Sequence, residues 1–333
     1  MVASWNVSTP PNERDLRQQF ADELGADHIR ELTRPDLADS ITYIGLLWFE
    51  VVVLVAAANL LPRLPIGAAV VGGCIIVGLI GTRMNALGVV VHEGSHGMLA
   101  KSRTLNDALT NWTAAFWSIN SVEEYRPTHR LHHRYLGTLQ DPDRFFYLVP
   151  AKRGALAKLM LQDLVGYTAF RRATTRLAGT SQESDAAPSL LFKPRLLVGK
   201  IVTQLVVLGQ FVLFQGVLRG VLFYMVFWLV PIVCMYPMIL RLKTIVEHYD
   251  ARLHYPKVIN WTARTSAAGL LQNHVIGARM EYHFEHHVVP TVPYPGLKKL
   301  HRELDELGLF DENGEFQSGG YAQFLARAVT RKL

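Results

Sequence analysis

His283-Phe284-Glu285-His286-His287 is the stretch on which the reading of this chain turns. On an α-helix, side chains three and four positions apart share a face, so His283, His286 and His287 point one way. The same HxxHH spacing recurs at His129-Arg130-Leu131-His132-His133, and His92-Glu93-Gly94-Ser95-His96 adds an i,i+4 pair. Together the three stretches hold eight of the chain's 13 histidines. Neutral imidazole is the commonest metal-binding side chain. Eight ring nitrogens exceed the four ligands of one tetrahedral ion and suit two metals. One such stretch alone reads equally well as a polar helix end with solvated histidines. Three of them, two with identical spacing, do not.

The rest of the chain is apolar, with 50% hydrophobic residues and a mean hydropathy of +0.15 over 333 residues, and the apolar residues are concentrated. Residues 41–61 form a run of bilayer length broken only by Glu50. Residues 66–80 start a second run, which continues through 86–91 into the first histidine stretch; 200–218 and 221–240 make a third and fourth. The sequence therefore predicts an all-α integral membrane protein: four transmembrane helices and a cytoplasmic helical cap carrying a histidine-rich di-metal site. Its expected organisation has three parts. A cytoplasmic segment, 1–40, precedes a membrane domain, 41–301, and a cytoplasmic tail, 302–333, follows. Within the membrane domain the spans fall at about 41–61, 66–91, 200–218 and 221–240, and the histidine stretches at 92–96, 129–133 and 283–287. The first 40 residues show no apolar core of a signal peptide.

Two tight turns, Leu61-Pro62-Arg63-Leu64-Pro65 and Arg219-Gly220, are expected to join the spans into hairpins. Basic residues gather elsewhere: Arg14, Arg17, Arg30 and Arg34 before the first span, and Lys101, Arg103, Arg126, Arg130, Arg134, Arg144, Lys152 and Arg153 between the hairpins. The positive-inside rule puts both termini and the central segment in the cytoplasm, and all three histidine stretches fall on that side. The expected location is the cell (inner) membrane. The net charge of +6 and pI near 9.3 are explained by attraction to anionic lipid headgroups, since no basic stripe with interleaved aromatics points to nucleic acid. Cys74 and Cys234 lie inside predicted spans as small hydrophobes, with no CxxC pair.

Smaller features carry further expectations. Glu50, an acid within a span, is either functional or hydrogen-bonded between helices. Arg83 is expected to snorkel to the headgroups. Residues 109–120 are too short to span, with Trp112 and Trp117 as interfacial anchors. Pro127 and Thr128 are read as opening the helix of the second stretch, and 155–170 as lying along the interface. Residues 179–185 read as a linker, 297–307 as an amphipathic helix, and 312–314 as a turn. Pro290, Pro293 and Pro295 end the third histidine helix. His28 and His301 are expected at the surface. HExxH also fits an intramembrane zinc peptidase, with His92 and His96 on zinc, Glu93 as base and Asp141-Pro142-Asp143 supplying a third ligand; that reading leaves both HxxHH stretches without a role. A transporter or metal-sensing receptor is a further alternative, but transport sites lie near the midplane and only Glu50 does so here.

The order HExxH, HxxHH, HxxHH, with spans between, resembles the membrane fatty acid desaturase superfamily, whose relatives include acyl hydroxylases and decarboxylases. His133-Arg134 with Asp141-Pro142-Asp143 is similar to the segment after that family's second histidine box. Glu247-His248, Arg264-Thr265 and Tyr282 to His287 with Pro290 and Pro293 resemble its C-terminal signature. The resemblance runs from about the first span to His301. Glu93 stands where many bacterial acyl desaturases carry aspartate, which leaves the ligands unchanged.

The resemblance implies a non-haem di-iron centre with O2 as co-substrate, held by His92, His96, His129, His132, His133, His283, His286 and His287. It implies a ninth histidine before the third box, for which His248 fits best and His254 and His274 less well. Glu93, Glu285, Asp141 and Asp143 are available to orient the ring N–H groups. The expected activity is oxidation of an unactivated C–H bond of an acyl chain, with desaturation favoured and hydroxylation or decarboxylation as the alternative. The acyl chain would arrive as lipid, coenzyme A ester, acyl carrier protein ester or free acid. With no haem-binding His-Pro-Gly-Gly, CxxC or GxGxxG element, electrons are expected from a separate carrier such as ferredoxin.

Overall fold

The structure is a computed structural model that describes residues 22–115, 121–149, 154–177, 194–248, 263–266, 269, 272–307, 317–318 and 320–323. The predicted linker at 179–185, the turn at 312–314, Trp117 and His254 lie outside these residues. Among them, four helices are long and apolar enough to cross a membrane: Ala26–Arg63, Ile66–His96, Leu196–Gln215 and Val217–His248. The only strands described are the two-residue parallel pair Thr265–Ser266 with Gln317–Ser318.

A short helix α1 (Ala26–Leu32) stops before Pro35, and α2 (Leu37–Ala58) starts where the Asp36 carboxylate accepts from the amides of Ala38 and Asp39. At 1.5 Å per residue its 22 residues reach about 33 Å, enough for the hydrocarbon core. A 3₁₀ turn, Leu61–Arg63, leads into α3 (Ile66–His96). Its 31 residues reach about 46 Å, so α3 outruns the bilayer and carries His92 and His96 on its overhang. Gly97 stops it in a left-handed conformation (φ +84°), with the amides of Gly97 and Met98 closing on the carbonyls of Gly94 and Glu93. A β-carbon would be strained there.

Next come α4 (Arg103–Leu109), running on as a π turn through Thr110–Ala115, and α5 (Val122–Tyr135). Helix α5 opens at a Ser121/Glu124 capping box, five residues ahead of Pro127. Sequence reading gave the start to the proline; the reciprocal cap satisfies the orphan amides and sets it earlier. After α6 (Arg144–Tyr147), the apolar 155–170 segment forms two helices, α7 (Ala155–Leu164) and α8 (Tyr167–Leu177), broken at Gly166 (φ +76°). Leu161, Leu164, Val165 and Phe170 are exposed on them, as an interfacial segment requires.

The second hairpin turns at Gly216 (φ +77°), between α9 (Pro194–Gln215) and α10 (Val217–Tyr224), and not at Arg219-Gly220. Gly220 is helical and serves close approach: a Cβ there would lie 2.5 Å from Val212 Cα. The chain then runs through two π turns, Met225–Leu229 and Pro231–Met235, into α11 (Tyr236–His248). Both hairpin turns lie at one end of the bundle, where Gln215 Nε2 donates to Asn59 O at 3.0 Å; the histidines lie at the other.

The core sits where α2 and α3 meet α10 and the π turns, around Leu47, Val51, Ile80, Met84, Leu87 and Trp228. Leu205, Val206, Leu213 and Phe214 of α9 stay exposed, as lipid-facing residues must. Past α12 (His283–Val288), α13 (Tyr294–Glu306) buries Leu297, Leu300 and Leu304 against Phe284, Val288 and Leu32. The predicted amphipathic helix is therefore present, with its start three residues earlier, behind Pro293.

Candidate metal centre

Four elements deliver histidines to one buried volume. The end of α3 supplies His92 and His96, α5 supplies His129, His132 and His133, the last residue of α11 is His248, and α12 supplies His283, His286 and His287. The i,i+3,i+4 spacing presents each set on one helix face. Tertiary bonds fix the helices against each other. Arg126 of α5 donates to Ser95 O (2.9 Å) at the end of α3 and to Asp107 (2.5 Å) of α4. Asn106 Nδ2 donates to Gly94 O at 2.8 Å, and a Cβ on Gly94 would fall on the Thr110 side chain. Only glycine lets the helix end sit so close.

The ring nitrogens sort into adjoining groups. His92, His96, His129, His133 and His286 have donor atoms all within 4.8 Å of one another. His132, His248 and His287 form a second group, and Glu247, His248 and His283 overlap it. Nε2 atoms face each other throughout. His129 lies 2.9 Å from His96 and 3.0 Å from His133, His286 lies 3.2 Å from His133, and His283 lies 2.8 Å from His248 and 3.2 Å from His287. The His133 and His287 rings stack at 4.2 Å, so the two groups touch.

These rings fit metal ions better than they fit each other. A neutral imidazole has one donor and one acceptor nitrogen, so rings meeting Nε2 to Nε2 satisfy one another only in part. Both nitrogens of buried His92 lack a partner, as do Nδ1 of His133, His248 and His283. Burial pushes His129, His133, His283 and His287 well below the usual histidine range, with neighbouring rings adding to the effect, so they are neutral and ready to donate. His132 is the exception. Burial lowers it, but the Asp141 carboxylate 2.9 Å from its Nδ1 outweighs that and holds it up at about 9. Asp141 also accepts from the Tyr147 hydroxyl and from the Asp143 amide (2.9 Å), and Gly137 N donates to Tyr147 at 3.1 Å. This carboxylate–histidine contact is the arrangement that orients a metal-binding ring.

Several sequence expectations land elsewhere. His274 lies with Glu50 (2.9 Å) and Arg83 (2.8 Å), outside the histidine groups. Arg83 does not snorkel: it is buried, gives one nitrogen to Glu50 at 2.5 Å and another to the His274 carbonyl at 2.6 Å. A fixed acid nearby outcompetes the headgroups. Glu50 is thus the hydrogen-bonded acid between elements. His301 is partly buried, its Nδ1 2.5 Å from Glu285, which also accepts from Thr265 at 2.5 Å; Glu285 thus ties α12 to α13 and to the strand. His28 is held by Glu303 at 3.0 Å. Glu93 is buried, on the side of α3 that feels Arg279. Asp143 reaches His132 only at 3.9 Å. Asp141 touches His132 and not His92 or His96, whose neighbours are three further histidines, so the zinc-peptidase ligand set does not assemble.

Two features went unread in the sequence. Lys243 and Glu247 are buried as a pair, Nζ lying 2.8 and 2.9 Å from the two carboxylate oxygens. Arg241 is buried on Asp163 (2.5 and 3.0 Å) and donates to the Phe145 carbonyl at 3.0 Å, locking α11 to α7 and to the segment beside Tyr147. Three charged residues within seven positions at the end of an apolar run were the available signal.

The sequence profile of the fatty acid desaturase family matches residues 66–316. Similar proteins include a dihydrorhizobitoxine desaturase from Bradyrhizobium elkanii, 28% identical over 243 residues, covering 67% of this chain and 65% of that protein. Another is an sn-1 acyl-lipid omega-3 desaturase (ferredoxin) from Synechocystis sp., 27% identical over 242 residues, covering 66% and 63%. The matched region spans a little under two thirds of the length of each.

Proposed function

This chain belongs to the fatty acid desaturase family, and we propose from that premise that it is a membrane-bound, non-haem di-iron oxidoreductase that introduces a double bond into a fatty acyl chain. The observation that carries this reading is the convergence of nine histidines from four elements into two touching, buried groups at one end of a membrane-spanning bundle. His92, His96, His129, His133 and His286 would hold one iron; His132, His248, His283 and His287 would hold the other. Imidazole suits iron, and iron bound there supplies activation of O2 towards an unactivated C–H bond.

The chain's own residues select, orient and shield. Asp141 keeps the His132 proton on Nδ1, so that Nε2 is the donor, and Tyr147 keeps Asp141 in place. Eight of the nine histidines are buried and His96 is partly so, which limits the access of bulk water to the site. Desaturation is favoured because both named relatives are desaturases.

The orientation follows the basic residues. Lys101, Arg103, Arg130 and Arg134 are exposed beside the histidine helices, which supports a site on the cytoplasmic side of the inner membrane, with both termini on that side. The same charge suits an acidic electron carrier of the ferredoxin type, the donor that the Synechocystis relative's name records. Residues 41–301 act as the membrane desaturase domain, between a cytoplasmic segment 1–40 and a tail 302–333.

The test is to express the chain with a ferredoxin and its reductase, assay iron in the purified protein, and analyse host fatty acids by mass spectrometry. About two irons per chain and a product two hydrogens lighter are expected. A product one oxygen heavier would replace desaturase by hydroxylase. One zinc per chain, retained in His286→Ala, would sink the reading altogether.

A further inference from the structure

Glu247 is the buried acid whose carboxylate falls within ligand spacing of two histidine nitrogens, and the histidine ligand set does not use it. It is 1% exposed and stands on the last turn of α11, one residue before His248. Its carboxylate lies 4.0 Å from His283 Nε2, too long for a hydrogen bond. Metal–ligand bonds near 2.1 Å place two donors of one ion up to about 4.2 Å apart, which this spacing meets. Donor atoms of Glu247, His248 and His283 all fall within 4.8 Å of one another.

The two groups are also unequal without it. One has five histidines in mutual reach; the other has His132, His248 and His287, with His283 joined through His248 and His287. Neutral imidazoles leave the full charge of two divalent ions in a buried site, where an anionic ligand has its largest effect. A carboxylate oxygen has lone pairs enough to accept from Lys243 and donate to a metal together.

We propose that Glu247 is an oxygen ligand of the second iron, giving that site four nitrogens and one oxygen against five nitrogens in the first, with Lys243 holding the carboxylate in place. This rests on the di-iron reading above. It makes the two irons chemically inequivalent: a hard anionic donor favours the ferric state of its own iron.

The test uses the full chain in detergent, loaded anaerobically with isotopically enriched iron. Iron per chain and Mössbauer spectra are compared for wild type, Glu247→Gln, the double variant Lys243→Met/Glu247→Gln, and His287→Ala as the reference for a damaged second site. Wild type should hold two irons with two distinct signals. Glu247→Gln should weaken one iron by about 10–100-fold, so that at limiting iron the content falls toward one per chain and one signal changes while the other stays. The double variant removes the stranded ammonium as well as the acid. If Glu247 ligates iron, its deficit persists there although thermal stability recovers. A double variant with two irons and wild-type spectra would show that Glu247 only partners Lys243, and the proposal would fall alone. A wild type that takes up no iron would remove the di-iron reading and this proposal together.

Discussion

Gly94→Ala is a one-methyl change with a large expected effect. The new Cβ would lie 2.7 Å from Thr110 Cγ2 and 2.9 Å from Thr110 Cβ, and closer still to Oγ1. Thr110 cannot step aside freely, because its hydroxyl donates to Asn106 O at 2.7 Å while Asn106 Nδ2 donates to Gly94 O at 2.8 Å. Overpacking of a tight contact costs about 1–3 kcal/mol, and a strained buried hydrogen bond adds about 1 kcal/mol. A total near 3 kcal/mol should lower Tm by roughly 5–10 °C. The displaced helix end carries His92 and His96, so iron content should fall as well. The assays are thermal unfolding in detergent and metal analysis. Gly94→Ala/Thr110→Ala should recover most of both, since Thr110 Cγ2 and Oγ1 are the closest obstacles. A single variant as stable and as metal-rich as wild type would refute the packing argument.

Asp141→Asn should weaken one iron of the pair about 10–100-fold and leave the other, because it removes the carboxylate that orients His132; competitive chelator titration measures it. Arg83→Met strands Glu50, which keeps a quarter of its exposure, so the loss should be near 3 kcal/mol, the low end for a broken buried pair, and Arg83→Met/Glu50→Gln should recover it. The metal-free protein should lose stability on both sides of neutrality. His129, His133, His283 and His287 are held below the ordinary histidine pKa, so the unfolded chain gains protons first as pH falls through about 6.5, at up to about 1.4 kcal/mol per ring per pH unit. His132, held at about 9, acts in reverse: its contribution is complete below 6.5 and lost as pH rises through about 9. Thermal scans from pH 5 to 9 should give a maximum between these limits, and a steady rise to pH 9 would contradict it.

What was legible in the sequence was whatever repeats along one helix. The spacing of His129, His132 and His133, like that of His283, His286 and His287, is local geometry, and it survives folding unchanged. So does the contrast between apolar runs and polar connections that marks the hairpins. Contacts between distant elements were not legible. His301 reads as a surface residue until Glu285 is brought against it, and Arg83 reads as a snorkelling base until Glu50 and His274 close on it. Gly216 and Gly220 show the same limit, because composition alone cannot tell the glycine that turns a chain from the one that lets another helix approach. The Lys243–Glu247 pair was within reach, since i,i+4 spacing puts both on one face, but its burial is set by elements distant in sequence.

The unbroken run of α3 from Ile66 to His96 has a consequence for how the gene can change. Each residue inserted or deleted in it would slide the ligands by about 1.5 Å and swing them around the axis by roughly 100°. Single-codon insertions and deletions between Pro65 and His92 should therefore be lethal to the site, and even a change of seven codons, close to two whole turns, keeps the phase but slides the ligands by about 10 Å. Helix α9 bears no ligand, and its far end is tied only to the other hairpin turn, through Gln215 and Asn59, so its length is less tightly set. Two spans of similar hydropathy should thus have different evolutionary tolerances, one keeping time for the metal ligands and the other only filling the bilayer.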